Sequence, residues 1–109
     1  MAYLYIDEED ALLRLGGNTQ VFKMLLKKFL NNSYYDELGQ HLADGNLVEA
    51  ERAAHTIKGT AGNLSLMNLS RAATVLDDIL RVEGDYAKAY ASLQEIYQET
   101  IEEVEEYIS

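Results

Sequence analysis

Apolar residues recur along this chain mostly every three or four positions, the period of an amphipathic helix, and no stretch alternates as a strand does. The pattern predicts a short first helix capped by Asp7, with Asp10 as a capping-box-like partner and Gly16-Gly17 as its end. A second helix is expected from Asn18 or Thr19 to about Ala43. Its apolar stripe runs Phe22, Leu25, Leu26, Phe29 and then Tyr34, Leu38, Leu42. These two sets do not share one face of a straight helix. The slip at Asn31-Asn32-Ser33 predicts a bend or a change of packing partner. Asp44-Gly45-Asn46 reads as a turn that caps a third helix burying Leu47, Ala50, Ala54, Ile57, Ala61 and Leu64. A fourth helix from about Asn68 buries Leu69, Ala72, Ala73, Leu76 and Ile79. After a break at Glu83-Gly84-Asp85, the last helix carries Tyr86, Tyr90, Leu93, Tyr97, Ile101, Val104 and Ile108 at bundle-seam spacing. One short helix and four longer ones joined by short turns imply an all-α, antiparallel up-down four-helix bundle with a short additional N-terminal helix.

Composition narrows the function. A chain of 109 residues is expected to be a single domain spanning 1–109. Cysteine is absent, so there is neither a disulfide framework nor a thiolate metal site, and nothing calls for an oxidising compartment. No apolar run reaches the length of a membrane span, and Met1–Tyr5 lacks the basic start and apolar stretch of a signal peptide. A cytoplasmic location is the expectation. The net charge of −10 argues against nucleic acid and anionic membranes as partners. That charge is uneven: residues 85–109 hold seven acids and one lysine, read as a solvated helix face, whereas residues 46–64 are neutral overall.

Within that neutral window the third helix breaks a local rule. His55-Thr56-Ile57-Lys58-Gly59-Thr60-Ala61-Gly62 contains two glycines, each costing a helix interior roughly 1 kcal/mol relative to alanine. Lys58 and Gly59 both lie one turn above His55, and Gly62 lies two turns along. His55 falls about 100° round from Ala54, at the edge of the buried stripe. The result is an imidazole on an uncluttered strip of backbone beside one cation. Such local inconsistency marks functional sites. His41, near the end of the second helix, has no such company and is assigned no role.

This run resembles the signature of histidine-containing phosphotransfer domains: His, any residue, Leu or Ile, Lys, Gly. His55, Ile57, Lys58, Gly59 and Gly62 fit; Ser65 stands where the family most often has glycine. Ile6–Leu12 with Gly16-Gly17-Asn18, then Phe22, Leu25, Leu26 and Phe29, and Asp44-Gly45-Asn46 are similar to the family's first helix, second helix and pre-histidine turn. The resemblance implies a monomeric phosphorelay carrier in two-component signalling. His55 would be the phosphoacceptor, with Lys58 and Gly59 supporting it. Gly62, Arg52, Thr56 and Asn63 would face the docking partner. The implied partners are response-regulator receiver domains and a hybrid sensor histidine kinase. No cofactor belongs to the chain itself, and magnesium would come from the receiver.

The residue chemistry agrees with that implication. An ordinary histidine has a large neutral fraction near pH 7, and a neutral imidazole nitrogen is a nucleophile toward phosphorus. A phosphoryl group on His55 would gain roughly 1–4 kcal/mol from an ammonium about 4 Å away at Lys58. In-line geometry and most of the charge stabilisation must come from elsewhere. No glycine-rich nucleotide loop is present, so an autonomous kinase is excluded. Glu51 and His55, four apart, supply only two metal ligands, and no E-x-x-H pair recurs as in di-metal bundles; no metal is expected. Two other readings remain open at this point. One is the phosphoacceptor domain of a chemotaxis-type histidine kinase, which has a similar His-x-Ile-Lys-Gly run. The other is a non-catalytic helical interaction module, for which His55 would be dispensable.

Overall fold

The computed structural model describes residues 3–109, and all regular structure among them is helical. The expectation of no signal peptide falls partly on residues 1 and 2, outside the described residues. Six helices follow in order: α1 (Glu8–Arg14), α2 (Thr19–Leu30), α3 (Tyr34–Ala43), α4 (Leu47–Asn63), α5 (Met67–Arg81) and α6 (Ala87–Ile108). Side-chain caps open three of them: Asp7 accepts from Asp10 N, Asn18 from Val21 N and Asn46 from Glu49 N.

The expected long second helix is two helices. It stops at Asn31 and restarts at Tyr34 because the Asn32 side chain satisfies both ends of the break. Its amide donates to the Phe29 carbonyl, and its oxygen accepts from Tyr34 N at 2.8 Å. Asparagine competes in this way with the backbone ladder. The break redirects the apolar stripe, and each half finds a different partner. α2 packs on α6, where Phe22 meets Tyr107 edge-on and Phe29 tilts against Tyr97, whereas α3 packs on α4. α4 also packs on α5, and α5 on α6.

Alanines let α4 sit deep in this arrangement. Ala50, Ala53, Ala54 and Ala61 are buried together with Ile57, in the same core as Leu69, Ala73 and Leu76 of α5. His55 lies on the exposed edge of this helix, next to the buried stripe and within reach of α5.

Two sequence expectations at the chain start need correction. Asp10 does not complete a capping box, because the Asp7 backbone N–H already donates to the Ser65 carbonyl at 3.0 Å. The Asp10 carboxylate instead accepts from Ser65 Oγ at 2.7 Å and pairs with Arg14 at 3.2 Å. Nor is the acidic face of α6 wholly solvated. Glu103 accepts from the backbone N–H groups of Leu4, Tyr5 and Ile6, and Glu99 accepts from the Tyr5 hydroxyl. The segment before α1 is thereby strapped to α6.

Ser65 explains the departure from the family glycine. It follows α4 with φ +59°, the left-handed region that glycine occupies without cost. The strain of about 1–2 kcal/mol is offset by the part-buried hydrogen bond to Asp10. Ser65→Ala keeps the strain and loses the bond, so thermal or urea unfolding should report a loss of about 1 kcal/mol. Ser65→Gly exchanges one for the other and should stay close to wild type.

Candidate functional site

Helix α4 carries His55 on its exposed side, with the side chain 57% accessible, and α5 places a fully buried carboxylate behind it. That carboxylate is Asp77, whose Oδ2 lies 3.1 Å from His55 Nδ1. One turn on, Arg81 closes the group. Its Nε donates to Asp77 Oδ1 at 3.2 Å and to Glu51 Oε2 at 3.4 Å, and its Nη2 lies 3.1 Å from His55 Nδ1. Glu51 is one turn before His55 on α4, so the cluster spans the packed α4–α5 pair.

His55 Nδ1 has two neighbours that demand opposite tautomers. Asp77 requires a proton on Nδ1, whereas donation from Arg81 requires a lone pair there. Burial decides between them. An unpaired oxygen on the fully buried Asp77 would cost about 1–3 kcal/mol, while half-exposed Arg81 has Glu51, Asp77 and solvent to bond. Nδ1 therefore donates to Asp77, and the lone pair of the neutral ring sits on Nε2. Among the described residues Nε2 has no hydrogen-bond partner.

The two carboxylates titrate apart. Contact with Asp77 is the leading cause that raises the Glu51 pKa, with burial adding to it and Arg81 opposing. Burial pushes Asp77 upward too, but hydrogen bonds from Glu51 and His55 and the Arg81 charge outweigh it and leave Asp77 below the usual carboxylate value. Asp77 thus stays a charged acceptor for Nδ1–H.

The other residues singled out by sequence separate into groups. Lys58 is half-buried on the turn above His55, and among the described residues no carboxylate pairs with its ammonium. A Cβ built on Gly59 meets nothing within 4 Å, so this glycine keeps a patch of helix bare beside His55. Gly62 does something different. A Cβ there would approach Ser70 Oγ at 3.3 Å, and the same Oγ donates to the Lys58 carbonyl at 3.0 Å. Gly62 lets α4 and α5 pack closely, as a small residue at a helix crossing does. Arg52 is exposed and paired with Glu49 at 3.0 Å; Thr56 bonds back to the Arg52 carbonyl at 3.0 Å. Both line a shallow depression with His55, Glu51 and Arg81. Asn63 lies farther along α4, in a separate groove with Leu25, Lys28, Phe29 and Tyr34.

Sequence reading missed Asp77 and Arg81, although one signal was present. Asp77 is four after Ala73 and three before Leu80, on the buried stripe of its own helix. An acid at a core position needs a partner. Nothing local to α5 says that the partner is His55, because Asp77 lies 22 residues further along the chain than His55. The structure also adds a third metal-type donor to the pair found by spacing: ligand atoms of Glu51, His55 and Asp77 all lie within 4.8 Å of one another.

The family model for the Hpt domain matches residues 25–108, from within α2 to the end of α6. No curated protein and no solved structure matches the chain significantly.

Proposed function

Because the chain belongs to the Hpt domain family, whose members carry phosphoryl groups on histidine in phosphorelay signalling and are not kinases, we propose that His55 is its phosphoacceptor and exchanges the group with receiver-domain aspartates. The observation that carries this reading is the contact of His55 Nδ1 with the buried Asp77 carboxylate, which favours one tautomer. Asp77 holds Nδ1–H, and the Nε2 lone pair is left toward solvent on a helix kept bare at Gly59.

The transfer balances simply. Nε2 attacks the phosphorus of the receiver's aspartyl phosphate, the N–P bond forms as the acyl P–O bond breaks, and the carboxylate returns to the receiver. A positive charge develops on the ring as Nε2 is phosphorylated, and the Asp77 carboxylate stabilises it through Nδ1–H. Lys58 faces the arriving phosphoryl oxygens, a charge-assisted contact made only after transfer begins. Magnesium and the remaining cations come from the receiver. Transfer to a second receiver is the same step reversed.

Several finer points belong to this reading. The helices act as an antiparallel up-down four-helix bundle, with α2 and α3 as one interrupted member and α1 added at the start. The succession of neighbours α3–α4–α5–α6–α2 supports it. The working unit is a monomer, placed in the cytoplasm where hybrid histidine kinases and receivers meet. No helix among the described residues is long and apolar enough to cross a membrane.

The test is transfer from a phosphorylated receiver in the presence of Mg2+, read by intact mass before and after acid treatment. The wild type should gain one acid-labile phosphoryl group and His55→Gln none. Receiver binding by both proteins with no transfer to either would instead make the chain an interaction module.

A further inference from the structure

The cluster behind His55 already holds a cation, because Arg81 places its guanidinium between Glu51 and Asp77. That guanidinium sits on a half-exposed side chain, so a metal entering the cluster would displace it toward solvent. The groups it would leave are one imidazole nitrogen and two carboxylates, within 4.8 Å of one another and drawn from two packed helices. Glu51 and His55 share a face of α4 at i, i+4 spacing, and buried Asp77 is preplaced by α5. A nitrogen with two carboxylate oxygens suits first-row divalent ions such as Zn2+. Mg2+ prefers oxygen ligands and retains its waters.

We propose that Glu51, His55 and Asp77 form a binding site for a Zn2+-type divalent cation, and that this cation and a phosphoryl group exclude each other at His55. The exclusion follows from the ring. Metal coordination at Nδ1 displaces the proton that Nδ1 donates to Asp77. In the neutral metal-bound imidazole the one remaining ring proton sits on Nε2, where it occupies the lone pair needed for attack on phosphorus. Phosphorylation at Nε2 in turn leaves a cationic ring whose Nδ1–H is held by Asp77, and a metal can bind there only by displacing that proton and taking the carboxylate that stabilises the ring charge. Each ligand therefore weakens the other by the same factor. Mg2+ carried by a receiver leaves the site alone. The metal site stands on geometry; the exclusion rests on the reading of His55 as phosphoacceptor.

The first test titrates the unphosphorylated chain with ZnCl2, with MgCl2 as control, by calorimetry and by 15N NMR of the imidazole nitrogens. One Zn2+ per chain is expected, with the His55 ring proton moving from Nδ1 to Nε2 and no response to Mg2+. Glu51→Gln and Asp77→Asn should each weaken Zn2+ binding by roughly 10- to 100-fold or more. Absence of one-site binding up to millimolar Zn2+, an unmoved His55 ring, or wild-type Zn2+ affinity in both variants would overturn the site. The second test compares phosphoryl acceptance from a receiver with and without Zn2+. Wild type should slow in proportion to occupancy, while Glu51→Gln in the same zinc should keep its own zinc-free rate, which separates any effect on the receiver. Undiminished acceptance by zinc-loaded wild type would overturn the exclusion. A chain that accepts no phosphoryl group even without zinc would instead overturn the carrier reading, and the isotherm and ring nitrogens would still decide the site.

Discussion

Replacing Asp77 by asparagine is expected to slow phosphoryl acceptance at His55 by roughly 10- to 100-fold while the chain stays folded. Asp77 offers one oxygen to Arg81 Nε and the other to His55 Nδ1. Asparagine has a single oxygen. If that oxygen keeps Arg81, the amide NH2 faces His55 and donates to Nδ1, placing the ring proton on Nε2 and removing the nucleophile. The hydrogen bond to a charged partner that fixes the reactive tautomer is worth about 1.5–3 kcal/mol, which is the expected loss in rate. Stability suffers less. Arg81 retains Glu51 and solvent, and His55 is exposed enough to be hydrated, so no buried charge is stranded. Rates of transfer from a phosphorylated receiver, beside a urea melt of each protein, check both halves. Wild-type rates in Asp77→Asn would mean that Asp77 only supports the helix pair.

Gly59 should show the opposite balance of stability and activity. It lies inside α4, and apart from its neighbouring residues and its own helix backbone nothing comes within 4 Å of the position of a Cβ. Gly59→Ala should therefore stabilise the chain by up to about 1 kcal/mol, a rise of several degrees in Tm for a domain of this size. Gly59→Gln should also fold well, but its side chain covers the strip that a receiver must approach to bring phosphorus to His55. A displacement of about 1 Å at a reacting centre can cost roughly 100-fold, and the slowing of transfer should approach that. A Gly59→Gln protein that is both stable and fast would remove the docking role. Gly62 is the internal contrast. A methyl there presses on Ser70 at 3.3 Å, so Gly62→Ala forfeits the helix-propensity gain.

Periodicity located the helices because each buries a stripe against one or two neighbours, and that stripe is written locally. It also placed the Asn31–Ser33 discontinuity, where two stripes fall out of phase. Whether a chain bends or stops there depends on what the Asn32 side chain bonds, which periodicity does not carry. His55, Lys58 and Gly59 were legible because they break helical preference within a few residues of one another. Asp77 and Arg81 were not, because they reach His55 only through the packing of α5 on α4. Spacing alone placed Gly62 with Gly59; the separation between them appears only when α5 covers one and leaves the other bare. The strap of Glu103 on residues 4–6 joins positions nearly a chain length apart and leaves no local trace.

The most direct measurement on the central claim is the site of the phosphoryl group itself. The 15N-labelled chain would be phosphorylated by a receiver, and the 31P–15N coupling and ring-proton correlations of its histidines recorded. A single phosphoryl group on Nε2 of His55, with Nδ1 still protonated toward Asp77, is the predicted result. A group on Nδ1, on His41 or on any other residue would contradict it.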